Sequence, residues 1–78
     1  MTGKGGLLCE FGVRVRERRN ECGLSQEELA HQSGMHRTYV SSVERGERNI
    51  ALVNIAALAA ALGVDAGDLT IGLKYHPQ

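Results

Sequence analysis

The sequence predicts an all-α domain, on three observations. Five apolar or amphipathic segments are separated by glycine, strand-like alternation of β-branched residues is absent, and no proline occurs before Pro77. Seventy-eight residues make one small domain, near the low end for a stable single core. Phe11, Tyr39 and Tyr75 are its only aromatics, so aliphatic and alanine side chains must supply most of the packing.

The first helix is expected over residues 8–22, with Phe11, Val15 and Cys22 along one face and Gly23 as its stop. Arg18 falls on or near that face, where its stem can cover apolar surface while its head reaches water. Leu24 is an apolar anchor before the second helix. Ser25 caps that helix and Glu28 completes a Ser-x-x-Glu capping box. Leu29 and Ala30 form its buried stripe, and Gly34 supplies the left-handed residue that ends it. A third helix runs over about residues 36–45 and stops at Gly46. Val40 and Val43 point one way from it, with His36 between them. Arg37, Thr38, Ser41 and Arg45 point the other way, and Ser42 lies at the edge.

Glu47, Arg48 and Asn49 form a polar loop, after which residues 50–64 carry no charge and Asn54 is the one strongly polar side chain. That run is too short and alanine-rich to span a bilayer. A soluble helix apolar all round must be covered on several sides, partly by the domain's own core and partly by a second subunit. Gly63 ends it, Asp65 and Asp68 cap a last short helix holding Leu69 and Ile71, and Leu73 extends the apolar set. Residues 1–7 are expected to be a flexible N-terminal extension, 8–73 the domain, and 74–78 a C-terminal tail.

Two short helices held at a steep angle by a glycine turn can place the second in a DNA major groove. Arginine can donate two bonds to guanine, and short hydroxyls can contact bases or phosphates. Nine basic and nine acidic residues cancel, which counts against DNA binding unless folding sorts the charges. All seven arginines lie between positions 14 and 48, together with six of the acids.

Several classes of function are disfavoured. No nucleophile–base pair, carboxylate dyad or metal spacing appears, and Gly3-Lys4-Gly5-Gly6 lacks both the phosphate-loop spacing and a strand before it. Neither enzyme nor cofactor is expected. Cys9 and Cys22 would stand roughly 20 Å apart on one helix, out of disulfide reach. They are read as reduced, small apolar residues. No zinc site, small-molecule ligand or membrane is expected, and the apolar run at residues 7–8 is too short for a signal peptide.

Ser25-Gln26-Glu27-Glu28-Leu29-Ala30, Gly34 and Tyr39-Val40-Ser41-Ser42-Val43-Glu44-Arg45-Gly46 resemble the Cro/C1-type (XRE) helix-turn-helix regulators over about residues 11–70. His36-Arg37-Thr38-Tyr39-Val40 followed by Glu44-Arg45-Gly46-Glu47-Arg48-Asn49-Ile50 is similar, more narrowly, to controller proteins of bacterial restriction–modification systems. The resemblance implies a compact five-helix, lambda-repressor-like domain that binds a pseudo-palindromic double-stranded operator as a homodimer. It implies base reading by Arg37, Thr38, Ser41 and Ser42, and backbone contacts by Gln26, Tyr39, Arg48 and Asn49. Arg19 and Glu44 match a family pair linking the first helix to the third. RNA polymerase is a further implied partner, and the bacterial cytoplasm and nucleoid the implied location.

Within the apolar stretch 50–71, Leu52, Leu69 and Ile71 are the expected dimer contacts. Two departures from the family stand out. Arg18 replaces an aliphatic residue, which would loosen the core or supply an extra phosphate contact. Ala51 stands where Ser or Thr caps the fourth helix, at an expected cost of about 1 kcal/mol. An antitoxin-like or other protein-interaction module with the same fold remains the alternative.

Overall fold

The core is aliphatic, as so few aromatics require. Val15, Leu29, Val40, Val43, Leu58 and Leu62 are fully buried, and Phe11, Ala30, Ala59 and Leu69 complete the cluster. The computed structural model describes residues 3–76, which form five helices and no strand. They are α1 (Gly3–Glu21), α2 (Gln26–Ser33), α3 (Arg37–Glu44), α4 (Leu52–Leu62) and α5 (Ala66–Thr70). α1 lies against α3, α4 and α5, while α2 packs on α3 and α4.

α1 begins at Gly3 and not at Leu8, so much of the stretch expected to be a flexible extension is helical. Glycine disfavours helix by about 1 kcal/mol per residue, but packing just downstream offsets this. Leu7 and Leu8 are half-buried and, with Phe11, line a groove shared with Asn49, Ile50, Ile55, Thr70 and Leu73. At the other end α1 stops at Glu21, so Cys22 is exposed and not on the core face. Its thiol donates to the Leu62 carbonyl at 3.6 Å. Residues 74–76 have no regular structure, and the rest of the expected tail, with Met1 and Thr2, lies outside the described residues.

Two arginines of α1 close the ends of other helices. Arg18 Nε donates to the Leu62 carbonyl at 3.1 Å, and its Nη1 reaches Glu21 at 3.3 Å. Arg14 Nη1 donates to the carbonyls of Leu69 and Ile71 and its Nε pairs with Glu10 at 3.2 Å. The last carbonyls of a helix have no partner within it, and a cation there also meets the negative end of the helix dipole. This corrects both readings of Arg18: its head neither loosens the core nor waits for a phosphate, because it terminates α4. The opposite end of α4 is as expected, since Ala51 makes no side-chain cap.

Candidate nucleic-acid interface

Local chemistry sets the helix-turn-helix. Ser25 Oγ accepts from the Glu28 amide at 3.0 Å, and Glu28 Oε1 accepts from the Ser25 amide at 2.9 Å. The bond from the Ser25 backbone amide, with the Ser25 hydroxyl adding to it, holds the Glu28 carboxyl below the ordinary carboxylate range. Gly34 takes φ 73°, a conformation that costs a side chain free energy, and Met35 N–H then closes onto Ala30 O at 2.8 Å. α3 leaves this turn with Val40 and Val43 buried beneath it. His36 does not lie between them on the core face. It is the exposed N-cap, without a side-chain cap bond.

Arg37 and Thr38 project from the opposite side, fully outward, and Ser41 is half-buried one turn on. Arg37, Ser41 and Arg45 are spaced four apart and so form one stripe along α3 and its cap. Arg45 Nη1 donates to the Ser41 hydroxyl, tying the second and third members together. Ser42 does not join them. It is only 6% exposed, its Oγ donates to Tyr39 O at 2.8 Å, and it accepts from Arg48 Nε at 3.0 Å. A hydroxyl turned inward and already committed cannot read a base, so Ser42 leaves the base-reading set. Its work is to seat Arg48.

Of the residues assigned to backbone contact, Tyr39 and Arg48 are brought together. The Arg48 guanidinium lies over the Tyr39 ring at 5.4 Å from its centroid, a cation–π distance. The Tyr39 hydroxyl accepts from Asn54 Nδ2 at 3.2 Å, which leaves its own proton free to donate outward. Asn49 is exposed at the rim of the groove beside Ile50. Asn54 was missed as a site residue, although its isolation as the one strongly polar group in an uncharged helix was a usable signal.

Beneath this surface lies an ion pair that joins three helices. Arg19 Nε and Nη2 donate to the two Glu44 oxygens at 2.6 and 3.1 Å, with Arg19 12% and Glu44 3% exposed at the side chain. The bond to Glu44 pushes the Arg19 pKa above its already high ordinary value. Arg19 Nη1 also donates to Leu24 O at 2.8 Å, and Gln26 Nε2 donates to Glu44 Oε1 at 3.0 Å. Gln26, expected only to meet phosphate, therefore also fixes the start of α2 to the end of α3.

The expected dimer contacts divide. Leu52 and Ile71 are 75% exposed, and so is the unanticipated Val53 at 77%. Leu69 is a correction: at 3% exposure it belongs to the protomer's own core. Leu69 lies in α5, whereas Ile71 is its C-cap and leaves the helical conformation (ψ 131°), so the first turns into the core and the second is exposed. Along α4, Leu52, Val53, Ala56 and Ala60 leave an exposed apolar stripe. No group of side chains able to hold a metal ion occurs among the described residues, and no helix there is long and apolar enough to cross a membrane.

Residues 15–69 match the family profile described as Helix-turn-helix. The chain belongs to the XRE-type helix-turn-helix family. The controller resemblance also stands. Control protein C.BamHI of Bacillus amyloliquefaciens is 48% identical over 60 residues, covering 76% of this chain and 74% of that protein. The crystal structure of the restriction–modification controller protein C.AhdI from Aeromonas hydrophila superposes with a TM-score of 0.78 at 55% identity. That match covers 80% of this chain and 94% of the other. The controller protein C.Esp1396I, solved as a tetramer with its natural 35 base-pair operator, gives a TM-score of 0.72 at 34% identity over 76% of this chain and 78% of that one.

Proposed function

We propose that this helix-turn-helix protein is a sequence-specific regulator of transcription, binding a pseudo-palindromic duplex operator as a homodimer in the manner of restriction–modification controllers. One observation carries the reading: the outward stripe Arg37–Ser41–Arg45, held in place from behind by the buried Arg19–Glu44–Gln26 network. Arg37 offers a planar fork to guanine O6 and N7, and the Thr38 methyl and hydroxyl sit beside it. Tyr39, Arg48, Asn49 and Gln26 surround the stripe with donors suited to phosphate oxygens. The zero net charge is less of an obstacle at this face, where Arg37, Arg45 and Arg48 are exposed against a single exposed acid, Glu47, while Glu44 is buried against Arg19.

The apolar stripe Leu52, Val53, Ala56 and Ala60, with Ile71, is the dimer face in this proposal. An isologous contact there sets two α3 helices about one DNA turn apart, roughly 34 Å. In this proposal occupancy follows protein concentration through the dimer equilibrium. RNA polymerase is the partner through which a bound dimer would activate, and the cytoplasm, at the nucleoid, is where it would act.

Selection of operator sequences from a random duplex pool with the purified protein tests the function. Recovery of two-fold symmetric sites whose binding weakens steeply with salt is the expected result. Retention of no duplex at about 50 mM salt overturns the function in favour of a protein-only partner. On the selected site, Arg37→Ala is expected to cost about 1–3 kcal/mol and to relax preference at one base position per half-site, read by anisotropy titration on single-base variants. An unchanged preference would remove Arg37 from the reading set. Lysine at both Leu52 and Val53 is expected to give a monomer by sedimentation. At concentrations where wild type is itself monomeric, its urea midpoint should move little, since exposed substitutions change stability by about 0.5 kcal/mol or less.

A further inference from the structure

Arg45 continues the reading stripe one helical turn beyond Ser41, yet its guanidinium is already engaged. Its Nε and Nη2 donate to the two carboxylate oxygens of Glu47 at 3.0 and 3.1 Å, and its Nη1 to the Ser41 hydroxyl. Glu47 is the only exposed acid between His36 and Asn49, because Glu44 is buried. It therefore stands at the edge that a duplex must approach, flanked by Arg45 and Arg48. The hydrogen bond from Arg45 is the main reason that its carboxyl lies below the ordinary range, with Arg48 adding to it. Both partners are more than half exposed, at 55% and 57%. An ion pair so open to water is weak, so an acceptor on DNA can take Arg45 from it.

We infer that Glu47 is a specificity-determining residue: it holds Arg45 away from DNA until a sequence presents that guanidinium with a better acceptor than its own carboxylate. The inference rests on the DNA-binding function proposed above. On a duplex of arbitrary sequence no guanine is consistently placed within reach of Arg45, so phosphates are its main competitors, and releasing it exposes a carboxylate to those same phosphates. On the operator, a guanine edge that accepts two bonds in the fork geometry replaces both bonds to Glu47. Glu47 then lowers affinity for all DNA but lowers it most where the sequence is wrong.

The test is anisotropy titration of the intact protein on the selected operator and on a random duplex of equal length, across about 50–300 mM salt. Glu47→Gln keeps the shape and removes the charge. It is expected to tighten random-duplex binding about 5- to 10-fold and to steepen the salt slope there by about 0.9, one additional phosphate neutralised. Operator binding should change less than about 2-fold, so the specificity ratio falls. In an Arg45→Gln background the same change should have little effect on either duplex. An unchanged ratio, an equal gain on both duplexes, or an equal gain without Arg45 overturns the inference while leaving DNA binding intact. Wild-type protein that binds neither duplex overturns the proposed function as well, and is told apart by that control alone.

Discussion

Gly12→Ala is expected to destabilise the domain by about 2–3 kcal/mol, against the direction that helix propensity alone predicts. Gly12 lies inside α1, where alanine favours helix by about 1 kcal/mol over glycine. A Cβ there, however, would stand 2.5 Å from Val43 O and 2.6 Å from Glu44 O. Both obstacles are backbone and cannot rotate away, so α1 and α3 must move apart. Gly46 faces α1 in the same way: at φ 76° its Cβ would meet Cys9 Sγ at 2.7 Å and Cys9 Cα at 2.8 Å. The C-terminal end of α3 is thus seated directly on α1 through two positions without side chains. Separating them opens the core around Val43 and tilts the reading stripe. Overpacking of this kind costs about 1–3 kcal/mol, occasionally more. A domain of this size holds only about 4–12 kcal/mol in all.

Urea unfolding followed by circular dichroism measures the loss, with Gly67→Ala as its control. Gly67 lies in α5 with nothing within 4 Å of where its Cβ would be. The control should be neutral or stabilised by up to about 1 kcal/mol. A Gly12→Ala protein as stable as that control would show that the close approach of α1 and α3 does not limit the fold. Operator affinity gives a second reading. At temperatures where the Gly12 variant is still folded, its binding should fall, because Arg37 and Ser41 no longer sit at their original distance from Gln26 and Arg48.

What could be read from the sequence divides along the same line, between chemistry that acts over a few residues and chemistry that acts across the fold. The Ser25–Glu28 box, the Gly34 turn and the Val40/Val43 face depend on spacings of three or four, and the sequence displays them. Ser42 lies at the border of two faces at 100° per residue. Only the return of Arg48 to its hydroxyl decides that it turns inward. Arg18 looks like a misplaced cation until the end of α4, distant in sequence, brings Leu62 O to its Nε. Leu69 and Ile71 are both apolar, and nothing local says which of them faces the core where a five-residue helix ends. The role of Gly12 is invisible for the same reason, since glycine within a predicted helix reads only as a weak point. Arg45 was visible on the outer face of its helix, but its engagement by Glu47 depends on the course of the chain past Gly46.

Glu44→Ala is expected to be the most damaging single change at the site, costing about 3–5 kcal/mol. Removing the carboxylate leaves Arg19, only 12% exposed, with a charge and two donors that have lost their acceptor. Gln26 Nε2 loses its partner at the same time. Arg19→Met alone should be nearly as harmful, since it leaves the Glu44 carboxylate buried with Gln26 as its remaining side-chain donor. The double variant Arg19→Met/Glu44→Leu should recover most of the loss or exceed wild-type stability, because apolar groups of similar volume avoid the desolvation cost of both charges. Urea midpoints around this double-mutant cycle give the coupling directly, and two additive losses would mean that the pair does not act as a unit. DNA binding should not follow stability back. With Glu44 gone, nothing holds the Gln26 amide between α2 and α3, and the restored fold presents Arg37 and Gln26 without their common brace. A double variant as stable as wild type but about 10-fold weaker on its operator, a loss of about 1.4 kcal/mol, is therefore expected. Full recovery of both stability and affinity would instead reduce the buried pair to a packing element with no part in positioning the interface.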